Sequence, residues 1–529
     1  MQLTFLNWIL ASLPVLVVII LMMGFNWGGL RAGAVSWLVA ALVSVLFFGG
    51  TAELLIYSQA KALSLALDVL YIVWSAMLLY SMANEAGAIK RIGIELPKLA
   101  SDRVLQVYMI AWILPSFLQG MGGFGVPMAI SAPILVALGY TPVQSVVMAA
   151  LGHAWAVNFG TMSAAFYALT GVTGLPESLL AAPSALFLGL ILVPTGLLIA
   201  FISSGWKGVR HAFPAALLIG SGMALTQYLF AVNGMAMIAT TGAVMVGTLL
   251  LLGLTKFKHY QNGMKNETAL MEQAGPEMKR NFGVLMLPYV LVFLISFAVI
   301  LITPLNDLLN RFSFALSFPE IHSNLGWVVE AEEGKRIAFF SHPGTIMLFI
   351  SAITAAVYSL AGYLDKKAPR KILTKAIKGS VDSSIAVLAM VGVATIMIHS
   401  GMTRLLAYGL SVSIHRFVYP LIVPFIGVLG AFLTGSNNNS NVLFAVLHME
   451  TAKILELSIP IILAAQTAGG SIGSVMAPAK IIVGCTTTGL TGKEGNVLRK
   501  LVVYDFILVA IVALAATIWA AVLATKGQP

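Results

Sequence analysis

Between Phe5 and Phe25 the chain carries no charged side chain, and charge-poor apolar stretches of similar length recur at 33–50, 64–84, 184–204, 212–231, 235–254, 283–303, 344–363, 381–400 and 500–525. Roughly 20 apolar residues in a helix cross the ~30 Å hydrocarbon core of a bilayer, so such a series points to one environment only. Of 529 residues, 59% are hydrophobic and 9% charged, where soluble domains carry roughly 25% charged residues. The chain is therefore expected to be an all-α polytopic membrane protein. The first stretch lacks a basic leader and a small-residue cleavage site and reads as the first spanning helix, not a removed signal. A single cysteine, Cys485, excludes an intramolecular disulfide, and no Cys/His cluster is spaced for zinc or iron–sulfur, so no metal or cofactor is expected. The net charge of +10 sits in short loops between apolar stretches rather than in a basic stripe, which argues against a nucleic-acid partner.

Loop charge orients the spans. Lys256–Arg280 holds five Lys/Arg and Lys366–Lys378 holds six, and Lys90–Arg103 and Lys493–Lys500 are further basic segments. The positive-inside rule puts all four in the cytoplasm, and the acidic run from Asp307 to Glu333 outside. Helix 64–84 then ends inside and helix 283–303 starts inside, so an even number of crossings separates them. Parity holds if 103–138 is a re-entrant hairpin entered from the cytoplasm, and the same reasoning makes 417–456 a hairpin entered from outside. The total is about 12 spans plus two hairpins.

The two halves resemble each other in order. Asp68, Gly87 and Lys90 match Asp382, Gly401 and Arg404; Phe117–Gly120 matches Phe432–Gly435; Gly160-Thr161 matches Gly473-Ser474. Given the topology, the repeats are inverted. The expected organisation is a first repeat over 1–210 (hairpin 103–138, broken helix 143–162) and two connecting helices in 211–254. A basic cytoplasmic loop follows at 255–282, then a second repeat over 283–529 (hairpin 417–456, broken helix 459–483). Inverted repeats with interrupted helices mark secondary transporters, whose sites lie at the breaks near mid-membrane; an ancient duplication in a channel would leave the same trace.

The first tip, Gln119 to Pro127, has four glycines in six residues, each costing about 1 kcal/mol inside a helix. Bare N–H groups at the start of the next helix suit an anion, which nominates Gly122, Gly123, Phe124 and Gly125; close helix packing is the alternative. The second tip, Thr434 to Asn441, offers Ser436, Asn437, Asn438, Asn439 and Ser440, donors and acceptors without fixed charge, unless it is merely a polar turn. Behind the hairpins, breaks are expected at His153–Thr161 and Gln466–Ser474. They add Asn158, Thr161, Gln466, Ser471, Ser474 and, after Pro478, Lys480. Intramembrane Asp68 and Asp382 are candidates for proton coupling, or helix caps, and His153 is a third candidate.

At these residues the sequence resembles the bacterial lactate permease family. Gly123-Phe124-Gly125-Val126-Pro127 matches the family's Gly-Phe-Gly-x-Pro hairpin; Thr434-Gly435-Ser436 through Asn441 matches its Thr-Gly-Ser segment. Gly469-Gly470, His342-Pro343-Gly344-Thr345 and Thr487–Gly495 match further blocks. The resemblance implies cation-coupled uptake of lactate, glycolate or similar 2-hydroxy acids at the cytoplasmic (inner) membrane of a bacterium. It also implies membership of the ion-transporter superfamily, with paired hairpins, an elevator-type scaffold and transport domain, and a leaning toward homodimers that no residue here demonstrates. The chain departs from the pattern at Gln119 and Asn437, where the family tends to carry Glu and Asp, and at His153, Gln466 and Lys480. Two carboxylates fewer and a lysine more make the site more positive.

The expected function is proton- or sodium-coupled symport of a small organic anion. The rivals are transport of a more highly charged anion such as a sulfonate or dicarboxylate, and a passive channel or uniporter. An intramembrane enzyme finds no His-Glu-x-x-His or Gly-x-Ser-x-Gly motif.

Overall fold

With no water in the hydrocarbon layer, backbone N–H and C=O groups must pair within the segment that carries them, so the apolar stretches are helical. The computed structural model describes residues 4–25, 27–123, 125–261, 279–334 and 336–525. Its helices are α1 (Phe5–Met23), α2 (Gly29–Phe47), α3 (Ala52–Glu85), α4 (Ala88–Glu95), α5 (Arg103–Met121) and α6 (Val126–Ala137). There follow α7 (Pro142–Gly152), α8 (Ala164–Thr173), α9 (Glu177–Leu190), α10 (Leu192–Val232) and α11 (Ala236–Leu254). The rest are α12 (Phe282–Leu301), α13 (Thr303–Asn310), α14 (Pro343–Leu360), α15 (Ala368–His399), α16 (Met402–Ser413), α17 (Tyr419–Thr434), α18 (Asn437–Ile454), α19 (Ile459–Val475), α20 (Pro478–Thr487) and α21 (Glu494–Thr525).

Starts are set by side-chain caps. The Thr4, Thr51 and Asp102 oxygens accept from the first turns of α1, α3 and α5, and Thr141 with Gln144 forms a capping box on α7. Among the described residues, 11 stretches are long and apolar enough to cross a bilayer. One of them, 177–232, is two crossings: Ser204 and Gly205 (φ +63°) leave helical geometry inside α10. Helices 52–85 and 368–399 begin a dozen residues earlier than apolarity alone marks, because their polar ends continue the helix into the interface.

Elements recur in order. The series α2, α3, α4, α5, α6, α7–α8, α9 is followed after the strands by α14, α15, α16, α17, α18, α19–α20, α21. α5 packs against α6 and α17 against α18, each pair joined by a short uncoiled turn. α3 and α15 lie side by side and antiparallel: Ser58 Oγ is 2.9 Å from His399 Nδ1, and Trp74 Nε1 donates to Ser384 Oγ at 2.8 Å. Around them stand α1, α2 and α14, while α17–α19, α21, α7 and α9–α11 pack together on the other side. The contact between the two groups runs along α3 and α15 against α8 and α18.

The segment expected to lie outside is not a plain loop. It folds as three nested two-stranded antiparallel pairs: β1 (Ser313–Phe314) with β6 (Ile337–Ala338), β2 (Ser317–Phe318) with β5 (Glu332–Glu333), and β3 (Ile321–His322) with β4 (Val328–Val329). It is pinned to the helix ends by Asn324 N–H donating to Gly49 O at 2.7 Å, by Phe318 against Tyr57, and by an ion pair between Lys61 and Glu332. The expected basic loop at 255–282 falls largely outside the described residues.

Two breaks sit elsewhere than the residue pattern indicates. At 434–441 only Gly435 (φ +77°) and Ser436 leave the helix, and the asparagines form the first turn of α18. α19 runs unbroken through Gln466–Ser474, and the interruption comes at Met476-Ala477 before Pro478. The glycines there serve contact instead: a Cβ on Gly469 would stand 2.0 Å from Pro424 O, and one on Gly473 2.5 Å from Val428 Cα, so α17 and α19 touch backbone to backbone.

Candidate functional site

The first tip is built by an end that needs partners. α5 stops at Met121, leaving its last carbonyls unpaired within the helix. The carbonyl of Gln119 accepts from Thr161 N–H at 2.8 Å, and that of Gly120 from Met162 N–H at 3.4 Å. Those donors come from the gap between α7 and α8, where Thr161, Met162 and Ser163 all have positive φ (47°, 53° and 63°). Three consecutive L-residues in the left-handed region hold strain of the kind stored at functional sites. Ser163 Oγ donating to Ala236 O helps to fix them. Gly123 (φ +58°) must be glycine, since a Cβ would stand 2.9 Å from Thr161 Oγ1. Gly125 (φ +85°) opens α6, and Gly122 lies against the Tyr80 ring. Phe124 is outside the described residues.

The second tip is tied to the first by amides and hydroxyls. Thr467 Oγ1, inside α19, donates to Asn158 Oδ1 at 2.7 Å and accepts from Asn441 Nδ2 at 2.9 Å and Asn437 Nδ2 at 3.2 Å. Asn158 N–H donates to Ser471 Oγ at 3.2 Å, and Ser471 Oγ donates to Ala154 O at 2.7 Å. Gln466 Nε2 donates to Ser440 Oγ, Ser440 Oγ to Gly427 O, and Ser474 Oγ to Ser471 O. These groups form a buried network behind the tips. It keeps open valences: Asn158 Nδ2 and the side-chain oxygens of Asn437, Asn439, Asn441, Gln466 and Gln119 have no hydrogen-bond partner among the described residues.

Between the tips is a small cavity of about 30 Å³, room for a water or two. Gly123, Thr161, Ser436, Asn437, Asn438 and Lys480 line it, with Gln119 at one side. The structure thus brings six of the sequence-nominated residues to one space and places Asn158, Gln466, Ser471, Ser474, Asn439 and Ser440 behind it. Asn438 is half-buried, and its carboxamide makes no hydrogen bond to a described residue. Lys480, in the first turn of α20, is buried; its Nζ donates to Ser474 Oγ at 3.4 Å, and no described carboxylate pairs with it. α6, α18 and α20 all begin at this cavity and add the partial positive charge of their N-termini.

The proton candidates separate. Asp68 is buried on α3, with Oδ1 3.0 Å from Nε2 of His342, the cap of α14. His342 Nδ1 accepts from Gly344 N–H at 3.1 Å, so in the neutral ring the hydrogen is on Nε2, donated to Asp68. Asp382 is exposed on α15. His153, the residue that ends α7, is fully buried with Nδ1 2.7 Å from Ala149 O, and it is not among the residues lining the cavity. Three further groups lie outside the residues nominated above: Thr467, His342 as Asp68's partner, and Asp505, a fully buried carboxylate on α21 with neither oxygen hydrogen-bonded to a described residue. The signal for Asp505 was present: an acid within an apolar span. Among the described residues, no group of three or more His, Cys, Asp or Glu side chains gathers as a metal site.

Long apolar helices, two uncoiled tips and a polar centre define a multi-pass membrane protein. The family model for L-lactate permease matches residues 7–523, and the chain belongs to that family. It is 26% identical to the glycolate permease GlcA of Escherichia coli K12 over 96% of this chain and 94% of that one. It is 25% identical to the L-lactate permease of Halalkalibacterium halodurans (95% of each) and 24% to that of Bacillus subtilis (96% and 95%). Among solved structures, the YdaH transporter of Alcanivorax borkumensis aligns over 87% of this chain and 85% of that one, at 16% identity and a TM-score of 0.42. The localisation is the bacterial inner membrane.

Proposed function

We propose that the chain is a secondary active transporter that imports small 2-hydroxy monocarboxylates, lactate or glycolate among them, in symport with protons or sodium. The observation that carries this reading is Lys480, a buried cation with no carboxylate partner among the described residues, on the wall of a cavity where helices begin. A bare cation in such a place is costly until an anion joins it. The substrate carboxylate is assigned to Lys480 and the N–H groups at the starts of α6 and α18, and its hydroxyl to the free carboxamide of Asn438. The relatives named as L-lactate and glycolate permeases support the substrate class.

The reading of two inverted halves with re-entrant hairpins is supported by the repeated element order and by the antiparallel α3 and α15. Gly87 and Gly401 add to it, since both are left-handed (φ +75° and +78°) and each opens a short helix. Coupling by protons would run through Asp68, a buried carboxylate whose Oδ1 faces Nε2 of His342 while Gly344 N–H holds the Nδ1 lone pair of that ring. The positive character left by Gln119, Asn437 and Lys480 favours, as second reading, a more highly charged anion.

Uptake of labelled lactate and glycolate into proteoliposomes under imposed pH or sodium gradients tests the proposal. Concentrative uptake that is lost in Lys480→Gln supports it. Flux that never exceeds equilibrium makes the protein a channel, and accumulation of sulfonates or dicarboxylates instead moves the substrate to the second reading.

A further inference from the structure

A larger cavity of about 360 Å³ lies between α3, α15 and α18, under the strands, and nothing in the site described above uses it. Its wall carries Lys61, Arg404 and Lys453 against one carboxylate, Glu450. Lys453 is paired with Glu450 at 2.6 Å and Lys61 with Glu332 of β5. Arg404 has no carboxylate partner among the described residues; its guanidinium stands 5.6 Å from the centre of the Trp327 ring. The space has the size of a small-molecule site, and its one uncompensated charge is positive.

The cavity is also connected. Leu65, Val172 and Val391 form part of its floor and equally the wall of a second, nearly closed space of about 10 Å³. That second space reaches Asp68 on one side and Asn438 on the other, and Asn438 borders the cavity between the tips. Three spaces thus follow one another along the contact between the two helix groups: a basic mouth, an apolar collar and the tip cavity.

We propose that the mouth is an outer antechamber, in which a small carboxylate first binds at Arg404 and Lys453 before it passes the Leu65–Val172–Val391 collar toward Asn438 and Lys480. This rests on the transport reading for its last step only. Cations lining a cleft raise the local concentration of an anion and its rate of arrival, an effect that salt weakens. Each apolar wall of the collar costs a hydrated anion part of its shell, so the antechamber and the tip cavity are separate stations. The same cations could bind the phosphate of an outer-leaflet lipid, and the test distinguishes the two.

The native cysteine is removed by Cys485→Ser and a reporter placed in the mouth by Thr403→Cys. Right-side-out vesicles are then treated with impermeant methanethiosulfonates, one anionic (sulfonatoethyl) and one cationic (trimethylammonioethyl). The anionic reagent is expected to be favoured relative to a free thiol, and the preference to fall roughly tenfold in Arg404→Gln/Lys453→Gln. Arg404→Lys, which keeps the charge, is expected to retain it and guards against misfolding. External lactate is expected to slow labelling regardless of the anionic lipid content; slowing that follows anionic lipid alone would assign the mouth to headgroups and end the proposal. Equal rates for both reagents, or no labelling from outside, would also end it. In uptake assays the double charge variant is expected to raise KM about threefold at low salt and to flatten its salt dependence. Lys480→Gln should remove uptake while leaving the labelling preference intact, so a failed substrate assignment and a failed antechamber give different results.

Discussion

Lys480 and Thr467 show how a few side chains set the character of a membrane-embedded centre. With no described carboxylate beside it, Lys480 is, on the proposed reading, the group an incoming anion meets. Lys480→Arg is expected to keep measurable uptake and Lys480→Gln to lose it, with both proteins reaching the membrane in equal amounts by immunoblot. Thr467 ties three asparagines together. Thr467→Val, nearly the same shape, leaves the Asn158, Asn437 and Asn441 groups without it, a cost of about 1–3 kcal/mol for a buried polar group left unmade. A lower melting temperature in detergent, alongside weaker substrate binding, is the expected outcome. Asp505 works in the opposite sense. Its buried carboxylate, with no partner among the described residues, is costly where it lies, so Asp505→Asn is expected to leave the melting temperature unchanged or raised. Polar residues out of place in an apolar run were legible in the sequence; of these, Asn437, Asn438 and Lys480 line the cavity between the tips and Asn158 lies behind it. Thr467 was not, because a threonine in a membrane helix ordinarily bonds its own helix carbonyl and carries no mark of a distant partner.

Helices and their interruptions were legible to the extent that glycine and proline mean one thing. Gly122–Gly125 with Pro127 marks a true turn, and Pro478 a true restart. Gly469-Gly470 and Gly473 look the same in sequence but lie within an unbroken helix, because glycine also permits close approach, and the helix they approach, α17, is more than thirty residues away. Gly427→Ala tests that role: its Cβ would stand 2.1 Å from Gln466 O, and overpacking of this kind costs about 1–3 kcal/mol. Lower yield and melting temperature are expected, whereas Gly435→Ala, with open space around it, is expected to suffer only its backbone strain. The left-handed Thr161–Ser163 segment was invisible for the converse reason, since none of the three is glycine and the acceptors that hold them, on α5 and at Ala236, are distant in sequence. The strand pairs escaped notice because each strand is two residues long.

Across the whole molecule, the matched positions differ in what they do: Gly87 and Gly401 each open a short helix, whereas Asp68 and Asp382 lie within long helices and Gly473-Ser474 within unbroken α19. The role of Asp68 belongs at this scale, because its partner comes from α14, almost the length of a repeat away. Asp68→Asn keeps a hydrogen-bond acceptor for His342 but cannot take up a proton. The variant is expected to exchange labelled for unlabelled substrate across the membrane while losing accumulation driven by a pH gradient, and unchanged accumulation would remove Asp68 from coupling. The carbonyls of Gln119 and Gly120 have a mechanical consequence as well. Because they are stitched to Thr161 and Met162, while Gly427, Gly469 and Gly473 fuse α17 to α19, neither hairpin is free to swing as a flap on its own. On the proposed transport reading, each would travel with the helix behind it, and the gap that admits cargo would open at the seam between these welded blocks, or between them and the wall formed by α3 and α15.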